Sequence, residues 1–270
     1  GGHLMVRLVT LLTDFGDVDG FVGAMRGVIL NRDPTIQIAD IAHGIPMGDY
    51  PKAGKVLARV APLFPKGTVH CAVVDPGVGS ERRPIAIECA SHFFVGPDNG
   101  MFDEVLTALG HAYVARCITE PSLMRKPVSH TFHGRDVFAP CAAALAGGFP
   151  FAGVGPVIDQ IVRLETSELK FSDGVIQGVV AEIDHFGNLL TNIPSSSFKG
   201  QYRIVIGELE MVGPSPSYSE VPVASFVVIN GSSGFIEIAC RDRSAEELLQ
   251  VAPGQRVTCA SLPDDGESES

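Results

Sequence analysis

The sequence predicts two domains: an α/β domain with a largely parallel sheet over residues 6–160, then a small antiparallel β domain over residues 174–262. Three observations predict this. A chain of 270 residues is long for one domain, since one domain takes roughly 150. Strand and helix signals alternate through the first half, the rhythm of a layered α/β fold. After about Gly155 the texture changes to short strands separated by turn residues, the pattern of an antiparallel sandwich or barrel.

The elements follow in order. "RLVTLLTDF" is a continuous apolar run, as a parallel strand buried on both faces requires. "DGFVGAMRGVILNRD" places apolar residues at helical spacing, with Asp19 available as its N-cap. "TIQIADIA", "GTVHCAVVD", "PIAIECA" and "HFFVGPD" read as further strands, each closed by Gly, Pro or Asp or by a polar turn. "DYPKAGKVLARVAPLF", "GMFDEVLTALG" and "DVFAPCAAALAGG" read as the helices between and after them, with Pro140 suited to a first turn. "VRLETSELKFSDG" is a polar connector. The strands "VIQGVVAEID", "QYRIVIG", "ASFVVIN", "GFIEIA" and "QRVTCASL" come next, with one short helix, "SAEELLQV". Gly1–Leu4 ahead of Met5 reads as a vector-derived lead, and residues 263–270 as a disordered acidic tail.

Composition excludes several function classes. A net charge of −11 repels nucleic acid and anionic membranes and favours cationic ligands. With 45% hydrophobic residues the chain can build a full core, yet no run reaches the ~20 apolar residues of a membrane helix. The six cysteines form no CxxC pair and sit in apolar contexts, so they are expected as reduced core residues of a cytoplasmic protein.

Polar chemistry gathers where strands end, the edge at which open α/β sheets bind ligands. "TDFGDVDG", "DPGVGSERRP", "GPDNG" and "SHTFHGRD" are four Gly-rich polar turns that such a fold can bring to one edge. Each also has a plain structural use: Asp14 as a helix cap, "GPDNG" as a tight turn, Arg82 and Arg83 as surface charges. Arg82 is nevertheless placed to meet Asp75, the strand-end aspartate before it. Neither a phosphate-binding GxxxxGK[ST] loop nor a GxGxxG dinucleotide fingerprint is present. A metal on His130 and His133 would need Asp136 as a third ligand, and no HExxH or Cys/His cluster accompanies them, so no metal is expected.

Taken together, "TDFG", "DPGVGxxRR", "GPDNG", "TFHGRD", "DHFGNLLTN" and "NGSSGFIEIA" resemble the S-adenosyl-L-methionine (SAM) hydroxide adenosyltransferases, relatives of the SAM-dependent fluorinase and chlorinase. The motifs run in consistent order from Val6 to Val257. The resemblance implies SAM as substrate rather than cofactor, adenosine and L-methionine as products, and a β-barrel-like second domain. It also implies a homotrimer with sites between subunits. Carried over by motif, Asp75, Arg82 and His133 would prepare the attacking water. Asp14 would hold the ribose hydroxyls, Asp19 would lie near the methionine end, and Phe132 would line the pocket. In the second domain Asp184 would meet the methionine amine, Phe186 and Tyr218 would pack on adenine, and Asn188 would bond its edge. Ser232 or Ser233 would approach the carboxylate. Halogenating relatives lack the Asp, Arg and His set, and fluorinase has serine where Gly134 stands. The chain departs from the family pattern at Gly48, where an aromatic is usual, and at Ser233, where fluorinase has arginine.

Overall fold

The computed structural model describes residues 6–110, 112–165 and 167–263; the lead and the acidic tail beyond Pro263 lie outside the described residues. The chain divides into two compact units, Gly1–Leu164 and Glu165–Ser270.

The first unit is built on a seven-stranded mixed sheet. Its strands are β1 (Leu8–Thr13), β2 (Gln37–Ala42), β3 (Val69–Val73), β4 (Pro84–Cys89), β5 (His92–Pro97), β6 (Tyr113–Cys117) and β7 (Val157–Ile158). They lie in the order β2-β1-β3-β5-β4-β6-β7. β2, β1, β3 and β5 are parallel neighbours, while β4, β6 and β7 add antiparallel pairs. Alternation along β1 explains the layers. Val9 and Leu11 face one core with α1 (Phe21–Arg32) and α4 (Ala139–Ala146). Leu12 faces a second core with α2 (Tyr50–Val60) and α3 (Asp103–Ala108). A sheet covered on both faces needs the uninterrupted apolar strands seen in the sequence.

Three local features differ from expectation. α1 is capped by Gly20 at φ 75° with no side-chain bond, so Asp19 is not its cap. β4 and β5 form a tight hairpin in which Ala90 and Ser91 both take positive φ, 49° and 67°. Asn-Gly or Asp-Gly normally fills such a turn, so the sequence carried no hairpin signal. The helix expected from Asp136 instead starts as a π-helical turn, Gly134–Phe138, that runs directly into α4.

The second unit is an eight-stranded antiparallel sheet. It comprises β8 (Lys170–Ser172), β9 (Val175–Ile183), β10 (Leu189–Pro194), β11 (Tyr202–Ile206), β12 (Leu209–Gly213), β13 (Phe226–Asn230), β14 (Phe235–Cys240) and β15 (Arg256–Ser261), with α5 (Ala245–Leu249) beside them. The order β12-β11-β15-β9-β10-β14-β13 curls until its ends meet. The Ser215 N–H donates to the Val228 carbonyl at 2.7 Å, and a Cβ at Gly213 would fall 2.7 Å from Val228 Cβ. The result is a nearly closed barrel around Tyr202, Ile204, Ile236 and Ile238. β6, β7, β10 and β12 are strands beyond those the sequence predicts, and β8 lies in the expected connector. All six cysteines are free thiols, five of them buried.

Candidate active site

Because β1, β3 and β5 run parallel, the turns after Thr13, Val73 and Pro97 leave the same edge of the sheet. The "GPDNG" turn braces that edge. Asn99 donates to the Val74 carbonyl at 2.9 Å, immediately before Asp75, while Asp98 accepts from Arg83 and from the Val162 N–H.

Asp75, Arg82 and His133 come into direct contact. Arg82 Nε lies 3.0 Å from each carboxylate oxygen of Asp75, a forked ion pair whose side chains are only 9% and 5% exposed. Arg82 Nη2 lies 2.7 Å from His133 Nδ1. A guanidinium has no acceptor, so Nδ1 accepts and the neutral imidazole carries its proton on Nε2. Burial, and next the Arg82 charge, hold the His133 pKa below its ordinary value, against opposing pulls from Asp75 and Asp136. The guanidinium also sits 5.2 Å from the Phe138 ring centroid, which leaves it little room to swing.

Backbone explains how residues far apart in sequence meet. At Gly79, φ is +80° and a Cβ would lie 2.7 Å from the His130 carbonyl. Only glycine lets the "DPGVG" loop lie against the chain before His133. The π-helical turn follows His133 at once, in keeping with the frequent placement of such turns at functional sites. Gly134 packs under Phe15, Phe132 and Met25, each with an atom 3.3 Å from where its Cβ would stand. Phe15, Phe21 and Phe132 form a ring triangle with centroids 5.3–5.9 Å apart. Phe132 is thus part of an aromatic wall that Phe15 and Phe21 complete.

His130 is exposed, and Asp136 is fully buried and committed to Arg125, Arg135 and the Ser129 N–H. Those two residues serve the loop's surface and its anchoring. Among the described residues no three His, Cys, Asp or Glu side chains form a group that could hold a metal ion. Asp14 accepts at Oδ2 from the Gly48 N–H at 2.8 Å, and Asp19 is exposed in the same turn.

In the second unit Asp184 and Asn188 interlock. Asp184 Oδ1 accepts from the Phe186 and Asn188 N–H groups, and Oδ2 accepts from the Asn188 side-chain amide at 2.9 Å. Gly187 in this turn takes φ +78°. Phe186 is 75% exposed, an aromatic ring held out by a rigid turn. The Tyr218 hydroxyl donates to Glu237 Oε1. Ser232 and Ser233 lie in the β13–β14 turn, where Gly231 N–H donates to the Phe235 carbonyl. Glu237 joins this cluster although the sequence motifs do not point to it. It is 8% exposed, and burial and the nearby Asp184 charge raise its pKa, although the Tyr218 hydrogen bond pulls the other way. Its signal was a carboxylate inside the apolar strand "GFIEIAC", on the face opposite Ile236 and Ile238.

Residues 9–155 match the model of the SAM hydroxide adenosyltransferase N-terminal domain, and residues 178–258 that of the corresponding C-terminal domain. A protein of Salinispora arenicola (strain CNS-205) named (R)-S-adenosyl-L-methionine hydrolase is 36% identical, over 92% of this chain and 96% of its own length. A fluorinase of Nocardia brasiliensis (strain ATCC 700358 / HUJEG-1) is 28% identical, over 86% of this chain and 89% of its own. The crystal structure of an uncharacterized conserved protein from Thermotoga maritima superimposes with a TM-score of 0.87 at 34% identity, covering 93% of this chain and 99% of that one.

Proposed function

This chain belongs to the SAM hydroxide adenosyltransferase family, and from that membership we propose that it hydrolyses S-adenosyl-L-methionine to adenosine and L-methionine. The observation that carries the reading is the Asp75–Arg82–His133 contact, intact and largely buried.

SAM is a sulfonium, so the leaving group departs as a neutral thioether and needs neither a general acid nor a metal. Water attacks the ribose 5′ carbon, a C–O bond forms, and the C–S electron pair passes to sulfur. One proton leaves the attacking water and goes to the His133 imidazole. The obstacle is the nucleophile, because free water has a pKa of about 15.7. Arg82 stabilises developing hydroxide in a site shielded from solvent, and Asp75 fixes that guanidinium in place. His133 offers Nε2–H to the same oxygen while Nδ1 is held by Arg82, and it takes a proton at Nδ1 only by releasing that bond.

Asp14 holds the ribose diol, Asp19 lies toward the methionine end, and Phe132 lines the pocket. Asp184 receives the amine, Phe186 and Tyr218 pack on the adenine, Asn188 bonds its edge, and Ser232 or Ser233 meets the carboxylate. The assembly is a cytoplasmic homotrimer that completes each site from two subunits. Each subunit has a catalytic domain over residues 6–160 and a barrel domain over residues 174–262. Halogenation is disfavoured because the Asp75 carboxylate would repel a halide beside the nucleophile position.

Incubation with SAM in the presence of a chelator should release adenosine and methionine, and His133→Ala and Arg82→Ala should lower kcat far more than affinity. Intact SAM with adenosine still binding would make the chain a binding module instead. Light scattering should give the mass of three chains.

A further inference from the structure

Outside the water-activating set, one chain of polar groups, buried at Thr13 and His43 and reaching the surface at Asp40, ends at the turn that carries Asp14. Thr13 closes β1 with no exposed surface. Its Oγ1 accepts from the Phe15 N–H at 3.2 Å and lies 2.8 Å from His43 Nδ1. The Asp40 carboxylate can only accept, so His43 donates its Nε2–H to Asp40 Oδ1 at 3.0 Å, and Nδ1 of the neutral ring accepts the Thr13 hydroxyl proton. The other Asp40 oxygen pairs with Arg26 of α1. Both directions along the chain follow from the one group, the Asp40 carboxylate, that can only accept.

An Asp–His–Thr chain resembles the core of a hydrolase triad, but a fully buried threonine has no access to a substrate. Its hydroxyl is committed at both ends. The same segment fastens the turn twice more: the His43 carbonyl accepts from the Gly16 N–H at 2.8 Å, and the Gly48 N–H holds Asp14 Oδ2 at 2.8 Å. Residues 43–48 therefore grip the turn before, at and after Asp14. A carboxylate that must meet a diol in one geometry gains from being oriented in advance.

We infer that Thr13, His43 and Asp40 are positioning residues that orient Asp14 toward the ribose hydroxyls, and this rests on the diol role proposed above for Asp14. A relay of this kind acts on diol recognition and leaves the rest of the nucleoside unaffected. That property separates it from a generally structural role.

The test is calorimetric binding of adenosine and 2′,3′-dideoxyadenosine to the full chain. Thr13→Val should weaken adenosine about tenfold, equivalent to about 1.4 kcal/mol, and dideoxyadenosine less than about twofold. Thr13→Ser should restore adenosine binding, because the hydroxyl returns. Asp40→Ala, at a half-exposed position that spares the core, should show the same selectivity at smaller size and serves if Thr13→Val does not fold. KM for SAM should rise with kcat changed much less. Equal loss for both nucleosides, or no rescue by serine, would overturn the inference. If the wild type binds both nucleosides equally, the diol role of Asp14 fails instead, a distinct outcome.

Discussion

Asp75→Asn keeps the shape of the side chain and removes the charge that compensates Arg82. Both side chains are more than nine-tenths buried, so the variant leaves a guanidinium uncompensated in a poorly solvated position. Breaking one side of a buried pair costs about 3–5 kcal/mol. At about 2–4 °C per kcal/mol for a domain of this size, the first unit should melt roughly 10 °C lower. Replacing both partners together, as Asp75→Leu with Arg82→Met, removes the unpaired charge, and such swaps are often neutral in stability. The double variant should recover most of the melting temperature and still release no adenosine. Calorimetric melting and adenosine release, measured on the same preparations, separate the two effects. A single variant that melts like the wild type would show that the pair is not buried in solution. A stable double variant with substantial turnover would refute a catalytic role for the set.

Two further predictions concern the first unit. His70 is fully buried between Thr10 and His92, and burial, then the His92 charge, lowers its pKa to about 3. Between pH 6.5 and about 3 the unfolded chain holds the extra proton, so stability falls as pH falls through that window. The loss from pH 7 to pH 4 should be on the order of 3 kcal/mol, and His70→Phe should flatten this slope in denaturant melts at several pH values. A slope unchanged in that variant would assign the acid sensitivity elsewhere. Gly134→Ala would press a methyl group against Phe15, Phe132 and Met25 at 3.3 Å each. It should destabilise by about 1–3 kcal/mol and displace the neighbouring His133. Wild-type melting and turnover in this variant would mean that the wall yields freely.

Periodicity carried much of the fold because burial on one or both faces of a strand is written directly in residue order. β1, β3, α2 and the barrel strand β9 were legible for that reason. The β4–β5 hairpin was not, because Ala90 and Ser91 adopt positive φ without the residues that usually signal it. The π-helical turn was not, because its hydrogen-bond register depends on how α4 docks and on nothing in the local spacing. β6 (YVARC), β10 (LLTNIP) and β12 (LEMVG) mix polar with apolar residues, and their pairing partners rather than their own composition make them strands.

For the site, sequence determined the inventory: which turns end strands, which carry Asp, Arg or His, and that the charge balance suits a cationic substrate. Tertiary structure decided the relationships. His133 lies 51 positions beyond Arg82, and only packing of the Gly79 loop against the His130 backbone brings them to 2.7 Å. Which nitrogen of His133 carries the proton, which carboxylate holds Arg82, and that Thr13 and His43 sit behind Asp14 are likewise facts of contact. Hydrogen bonds are directional and act over about 3 Å, so a linear sequence can propose the partners but only the folded chain can pair them.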